Sequence, residues 1–389
     1  MPAKYHICRR IPTEIDLLKA SEEELWAEHD RLTGEFLEVW EAIRYGEMRI
    51  GDMPKADNSF LDLKVELARR MLRHCNFCRW NCRVDRASPG KRGTCQLETM
   101  SKVGSYFHHR GEELVFQGTN GSGTIFFTSC NMRCTFCQNG DISHDKDNGL
   151  SVTAQQLASM AWQLRMEGVH NINFVGGEPT IHLHNIVEAV SLLDSQRPTA
   201  RDLGYVGQAK ADYFSRGQNE EKGSYYDGEF NVPILWNSNF YMSDETMQIL
   251  RTLMDVWLPD FKFGNDKCAV FLSKTPWYFE TVSRNHKMVY DWGEDMVIRH
   301  LVMPGHVECC TKPVLEWIAI NTPNALLNVM DQFYPQYACD PLSPQFEERY
   351  SQIARHPTDD EIRRAYRYAK DLGLCFEPLS YESQRGLAV

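Results

Sequence analysis

Cys130, Cys134 and Cys137 fall within the stretch T-I-F-F-T-S-C-N-M-R-C-T-F-C-Q-N-G-D-I-S, residues 124–143. Three thiolates on a C-x3-C-x2-C loop can each hold one iron of a cubane. Iron–sulfur cubanes ordinarily take four cysteines, so three leave one iron open for a substrate or cofactor. The competing reading is zinc, which needs a fourth ligand such as His144. Three inert buried thiols fit poorly with so tight a spacing directly after an apolar run.

A second set lies upstream. Cys75, Cys78, Cys82 and Cys95, spaced C-x2-C-x3-C-x12-C, make a complete ligand set, and the glycine-bearing loop between Cys82 and Cys95 lets the last thiolate return. A closed tetrahedral zinc and a second [4Fe–4S] cluster both fit. We favour the cluster, since the first cysteine set already requires an iron–sulfur supply. Cys268, Cys309, Cys310, Cys339 and Cys375 have no tight pitch and read as ordinary thiols, although adjacent Cys309 and Cys310 with Cys339 leave room for another cluster.

Further groups with chemical potential sit at the ends of apolar runs. In Gly176-Gly177-Glu178-Pro179 two glycines permit close backbone approach to a ligand, and the carboxylate and carbonyls can accept from an ammonium group. Asp260 and Lys262 end L-P-D-F-K, Asn237 and Ser238 end a neighbouring run, and Arg299 lies in I-R-H-L-V-M-P-G-H. A guanidinium fork suits bidentate carboxylate recognition. His300 alternates to the opposite face from Arg299 and reads as structural, His306 reads as an exposed loop histidine, and Asp331 and Gln332 could touch a ligand.

The cysteine loop, with Phe136 before its last cysteine, resembles the C-x3-C-x-Φ-C signature of the radical S-adenosylmethionine (SAM) superfamily. The wider wording, G-S-G-T-I-F-F-T-S-C-N-M-R-C-T-F-C-Q-N with D-I-S, is similar to an activase-like branch related to pyruvate formate-lyase activating enzyme, with an extra cysteine box upstream. The likeness runs over about residues 70–375. It implies a [4Fe–4S] cluster on Cys130, Cys134 and Cys137 that cleaves SAM reductively to a 5′-deoxyadenosyl radical, which abstracts hydrogen from substrate. By the same resemblance Phe136 belongs to the SAM site, and Gly176, Gly177, Glu178 and Pro179 hold the methionyl amine. Asp260 and Lys262 contact the ribose, and Arg299 pairs with the SAM carboxylate. Asn237 and Ser238 stand where activating-enzyme relatives carry a cation-binding Asp-Thr pair, a departure that argues against a cation there. The resemblance also implies a protein or peptide substrate and an electron donor such as flavodoxin or ferredoxin. The alternatives are a small metabolite or methyl transfer with added cobalamin, for which no D-x-H-x-x-G box is present. A non-enzymatic electron-transfer or zinc-stabilised binding protein is disfavoured, because it needs no SAM pocket.

The elements that must position these groups alternate. Strands are expected at residues 124–128, 170–175, 232–236, 255–262, 296–303 and 326–332, with helices at 152–167, 184–193, 244–253 and 358–372. The last helix is stopped by Gly373. Such alternation gives a parallel sheet with its site at the carboxyl ends of the strands. The expected fold is α/β, a partial (β/α)6 TIM-like barrel with an N-terminal helical and cysteine-box extension. Residues 1–72 read as a helical extension, largely exposed over 12–72, with a capping box at Ser21/Glu24. Residues 73–118 form the cysteine-box segment, 119–335 the core with an insertion at 196–230, and 336–389 a loop and helix packing on it. The insertion is longer than an ordinary connection and reads as surface or as a lid or docking element.

The chain has 389 residues, 13 cysteines and a formal charge of −11. That charge argues against a broad basic face for nucleic acid. No apolar run is long enough to span a bilayer and the N-terminus lacks a signal-peptide core, so a cytoplasmic protein without membrane partners is expected. So many cysteines there suggest metal or redox work under reducing or anaerobic conditions.

Overall fold

The computed structural model describes residues 1–118, 120–193, 225–226 and 229–380. Most of the insertion expected at 196–230 therefore lies outside the described residues.

The β-branched and aromatic run of the central stretch becomes β2 (Ser122–Phe127), a buried strand. It pairs in parallel with β4 (Ile172–Gly176), which is followed by β5 (Ile234–Ser238) and β6 (Val256–Pro259), all parallel. β7 (Val297–Leu301) and β8 (Leu326–Met330) form a second parallel pair. β6 meets β7 only through the isolated bridges Trp257↔Met296 and Asp260↔Arg299. Six parallel strands in chain order thus make the expected partial barrel, with a thin seam between its fourth and fifth strands.

Two antiparallel strands at one edge of the sheet were not legible. β1 (Ser101–His109), placed from sequence within the cysteine-box segment, runs antiparallel to β2, and the short β3 (Leu150–Val152) pairs on its other side. After β1, residues 112–117 turn across the open side of the barrel. Phe116 packs into its interior with Leu235, Leu258, Val297 and Leu379, closing the base below the site.

Among the helices, α1 (Lys4–Cys8), α2 (Glu22–Arg44) and α3 (Phe60–Arg73) precede the cysteine box. The Ser21/Glu24 capping box forms as expected. The largely exposed reading of 12–72 is corrected for its second helix, however: α3 buries Phe60, Leu61, Leu63, Lys64, Val65, Leu67, Ala68, Met71 and Leu72, and α1, ahead of that stretch, is buried throughout. Its apolar residues cover more than one helical face, so it packs between α2 and a core helix, α5 (Leu183–Leu193), where a solvated helix would carry a single stripe. α4 (Ala154–Met166) starts at a Thr153/Gln156 capping box. α6 (Asp244–Arg251), α7 (Asp266–Ser273), α8 (Tyr278–Asp291), α9 (Lys312–Asn321) and α10 (Asp359–Asp371) complete the outer layer. No helix among the described residues is long and apolar enough to cross a membrane.

Candidate active site

A cavity of about 670 Å³ opens at the carboxyl ends of the parallel strands, within the usual size for a small-molecule site. Cys130, Cys134 and Cys137 line one wall, with Phe136, Gly176, Gly177, Glu178, Asn237, Ser238, Asp260, Lys262 and Arg299 around them. Of the residues expected at the SAM site, Pro179 alone is not part of the lining; it opens a 3₁₀ turn, Pro179–His182, behind Glu178. Gln332 lines the cavity and Asp331 does not.

The cysteine loop presents donors to its own sulfurs. Cys130 Sγ accepts from Met132 N at 3.3 Å and Asn239 Nδ2 at 3.5 Å, and Cys137 Sγ from Ser143 Oγ at 3.2 Å. Burial pushes the Cys134 thiol up to about 12, with Lys262 pulling against it and Cys137 and Asp260 adding to the rise. Such thiols become thiolates on binding metal, where these donors stabilise them. His144, the candidate fourth zinc ligand, is engaged elsewhere: its Nε2 meets the Cys134 carbonyl at 3.0 Å and its ring stacks on Tyr337 at 4.0 Å. The three-thiol set therefore remains open on its cavity side, as a cubane with a vacant iron needs.

The glycine pair has a different reason from the one expected. A Cβ at Gly177 would lie 1.8 Å from Ser129 O, and one at Gly176 2.2 Å from Phe127 N, with Gly176 also at φ +118°. The close approach is to the backbone of the cysteine loop, and the ligand comes second. Glu178 likewise serves the frame. Its buried carboxylate accepts from Thr180 N and Oγ1, from Ser238 Oγ at 2.6 Å and from Asn239 N at 2.9 Å, clamping the end of β4 to the end of β5. Burial raises its pKa and these four donors oppose the rise.

Arg299 donates from Nε to Asp260 at 3.0 Å and from Nη2 to Asn237 Oδ1, while Lys262 pairs with the other oxygen of Asp260. Nη1 is held more loosely, by Glu112 at 3.5 Å. Asn237 and Ser238 are thus committed to Arg299 and Glu178. Glu112 and Glu113, absent from the sequence-level set, are buried against the same cavity. Glu113 is raised by burial and by Glu112, against the pull of Arg299. Glu112 resists burial because His109 and Arg299 hold it down. The two carboxyls are therefore separated in acidity. No local motif marks them; only the return of 112–117 across the barrel brings them in.

The upstream cysteines also converge. Burial raises the Cys78 thiol, and Cys75, Cys95 and Cys82 raise it further. Beside them Arg86 is fully buried, 3.8 Å from Cys75 Sγ, donating to the carbonyls of Ile181 and Glu98, with no carboxylate partner among the described residues. A buried guanidinium needs negative charge nearby, and the groups beside this one are the sulfurs of Cys95, Cys75 and Cys78. This box is bolted to the first: Trp80 Nε1 donates to Asn131 O at 2.7 Å, Arg133 Nη2 to Thr94 O at 3.0 Å, and Ser129 Oγ to Cys95 O.

Comparison with known proteins gives the class. The Radical SAM superfamily profile matches residues 124–318. Over 380 residues, 96% of this chain and 94% of the relative, the sequence is 34% identical to uncharacterized protein MJ0674 of Methanocaldococcus jannaschii. The chain belongs to the radical SAM superfamily and is an enzyme whose cofactors are a [4Fe–4S] cluster and SAM. Solved structures similar to it include a radical SAM methyltransferase from Sphaerobacter thermophilus, at 13% identity over 72% of this chain and 76% of that one, TM-score 0.41. Streptococcus suis SuiB bound to S-adenosylmethionine matches at 14% identity over 63% of this chain, TM-score 0.38. This chain covers 45% of that one, less than half its length. A domain of pyruvate-formate lyase-activating enzyme from Bacteroides vulgatus matches at 14% identity over 52% of this chain and 95% of that one, TM-score 0.33.

Proposed function

We propose that this enzyme uses radical SAM chemistry to take a hydrogen atom from a protein or peptide substrate. The bound cluster supplies the electron that cleaves SAM to methionine and a hydrogen-abstracting 5′-deoxyadenosyl radical. Cys130, Cys134 and Cys137 hold the cluster, and the donors from Met132, Asn239 and Ser143 lower the charge on their sulfurs. The backbone of Gly176 and Gly177 offers carbonyls to the methionyl ammonium, Glu178 braces that segment, and Arg299 Nη1 receives the carboxylate. Asp260 and Lys262 face the ribose. Phe136, in contact with Phe263 and Phe333, seals the wall against water.

The observation that carries the reading is the open three-thiol wall facing a cavity with Arg299, Asp260 and Lys262 opposite. The peptide choice is supported by the rest of the lining. Gln117, Gln138, Asn139, Asn328 and Gln332 also line the cavity, and amides can pair with both the N–H and C=O of a polypeptide. The test is mass-shift mapping of the proteome in a host lacking the enzyme and in the same host with it restored. A restored mass change on one polypeptide is expected. Changes restricted to small metabolites would overturn the peptide assignment.

The upstream box is proposed to hold a second [4Fe–4S] cluster on Cys75, Cys78, Cys82 and Cys95, with Arg86 offsetting its negative charge. In a Cys75→Ser/Cys78→Ser variant, iron should fall by about four per chain. Loss of about one zinc with iron unchanged would assign zinc instead. An external donor such as flavodoxin or ferredoxin would deliver the electron.

A further inference from the structure

From the geometry of four side chains that sequence spacing leaves apart, we infer a further metal site: Cys268, His306, Cys309 and Cys310 form a closed Cys3His site for one zinc ion. Their ligand atoms all lie within 4.8 Å of one another. Cys268 Sγ is 3.8 Å from Cys309 Sγ, and His306 Nδ1 is 3.3 Å from Cys309 Sγ and 3.8 Å from Cys310 Sγ. Tetrahedral zinc with Zn–S near 2.3 Å and Zn–N near 2.0 Å places sulfurs about 3.8 Å apart and sulfur and nitrogen about 3.5 Å apart. The spacings are those of one ion shared by four donors; irons of a cubane would hold their thiolates farther apart.

Local structure explains how the set assembles. His306, Cys309 and Cys310 are at positions i, i+3 and i+4, which face one side of a helical turn. Here that turn is a single turn of π-helix, Val307–Thr311, in which His306 O accepts from both Cys310 N and Thr311 N. Isolated π turns occur disproportionately at functional sites. Cys268 enters from the first turn of α7. Asn265 ties the two pieces together, accepting from Cys268 N at 2.9 Å and donating to Cys309 O at 2.7 Å. Gly264 is required for the approach, since a Cβ there would lie 2.8 Å from Cys310 O and 2.9 Å from Cys309 O. His306 and Cys310 are buried, and Cys268 and Cys309 half-buried. The exposed-histidine reading from sequence is corrected by the burial of His306, and the proposed site departs from the ordinary-thiol reading for the three cysteines. Cys339 stays apart, its thiol donating to Gln336 O, and Cys375 is exposed.

The site's place in the fold gives its role. Cys268 follows β6 and the other three follow β7, so one ion bridges the seam that the sheet joins by two isolated bridges. The strands on either side carry Asp260 and Arg299. With four protein ligands the site is structural: a staple that holds those two side chains in register, with no open position for chemistry.

Zinc and iron counts on the full-length chain test this. Purified anaerobically from zinc-supplemented cells, Cys268→Ser and Cys309→Ser should each contain about one zinc per chain less than the parent, with iron unchanged. Cobalt loading of the parent should give thiolate-to-cobalt absorption and tetrahedral d–d bands that disappear in Cys268→Ser. Should Cys309→Ser fail to fold, the half-buried Cys268 position keeps the test. Zinc content equal in parent and Cys268→Ser, a parent with no zinc, or zinc lost only with Cys75 and Cys78 would each overturn the site. These counts do not depend on SAM cleavage, so the proposal can fail without the proposed function failing.

Discussion

Cys134→Ala is expected to reduce 5′-deoxyadenosine formation to the level of an enzyme-free mixture when the protein is reconstituted anaerobically with iron and sulfide and given SAM and dithionite. Iron should fall by about four per chain, the content of one cubane. The reasoning is local. Three thiols face the cavity, and His144, the nearest replacement, is tied to the Cys134 carbonyl and stacked on Tyr337. Two cysteines cannot retain what three were arranged to hold, and the alanine offers no donor. The substitution itself is mild for the fold, since it removes one sulfur at a site bordering a cavity, so unfolding should shift by no more than about 1 kcal/mol. Circular dichroism of the variant separates lost chemistry from lost structure. Product formation comparable with the parent, in a variant that has lost the iron, would remove the assignment of Cys134 to the reacting cluster.

What the sequence made legible was whatever is encoded by neighbours in the chain. The capping box at Ser21, the apolar runs of the six parallel strands, the stop at Gly373 and the spacing of Cys130, Cys134 and Cys137 are all local signals. Each has its expected place in the structure. What was not legible depends on chain segments meeting across long separations. β1 carries a mixed pattern, S-K-V-G-S-Y-F-H-H, because most of it is only partly covered; without a strict alternation it gave no strand signal. Glu112 and Glu113 reach the cavity because Phe116, just beyond them, fills the base of the barrel. Cys268 is separated from Cys309 by 41 positions and meets it only when β6 and β7 lie side by side. The reverse error is as instructive. The stretch containing α3 reads as largely exposed, whereas the buried residues of that helix, Lys64 among them, answer to a second layer of packing.

Gly177→Ala should be severely destabilising. Its Cβ would stand 1.8 Å from Ser129 O and 2.6 Å from Ser129 C, so something must move by more than a side-chain rotation. Ser129 is poorly placed to yield. It holds φ +65°, donates its N–H to Ile142 O at 2.7 Å, and donates its hydroxyl to Cys95 O. Gly177 is equally fixed, its N–H donating to Phe127 O at 2.8 Å. Overpacking of a rigid interior costs roughly 1–3 kcal/mol and more where backbone must shift, so a loss of about 3 kcal/mol or above is expected in thermal or denaturant unfolding. The displacement also has a direction. Ser129 is bonded on one side to Cys130 and on the other, through its hydroxyl, to the residue that closes the upstream cysteine set. Pushing it disturbs both sets together, and iron content should fall in parallel with stability. A Gly177→Ala protein with parental stability and full iron would mean that the loop is plastic and that the two cysteine sets are not coupled through Ser129. A variant that loses stability but keeps its iron would retain the clash and discard the coupling.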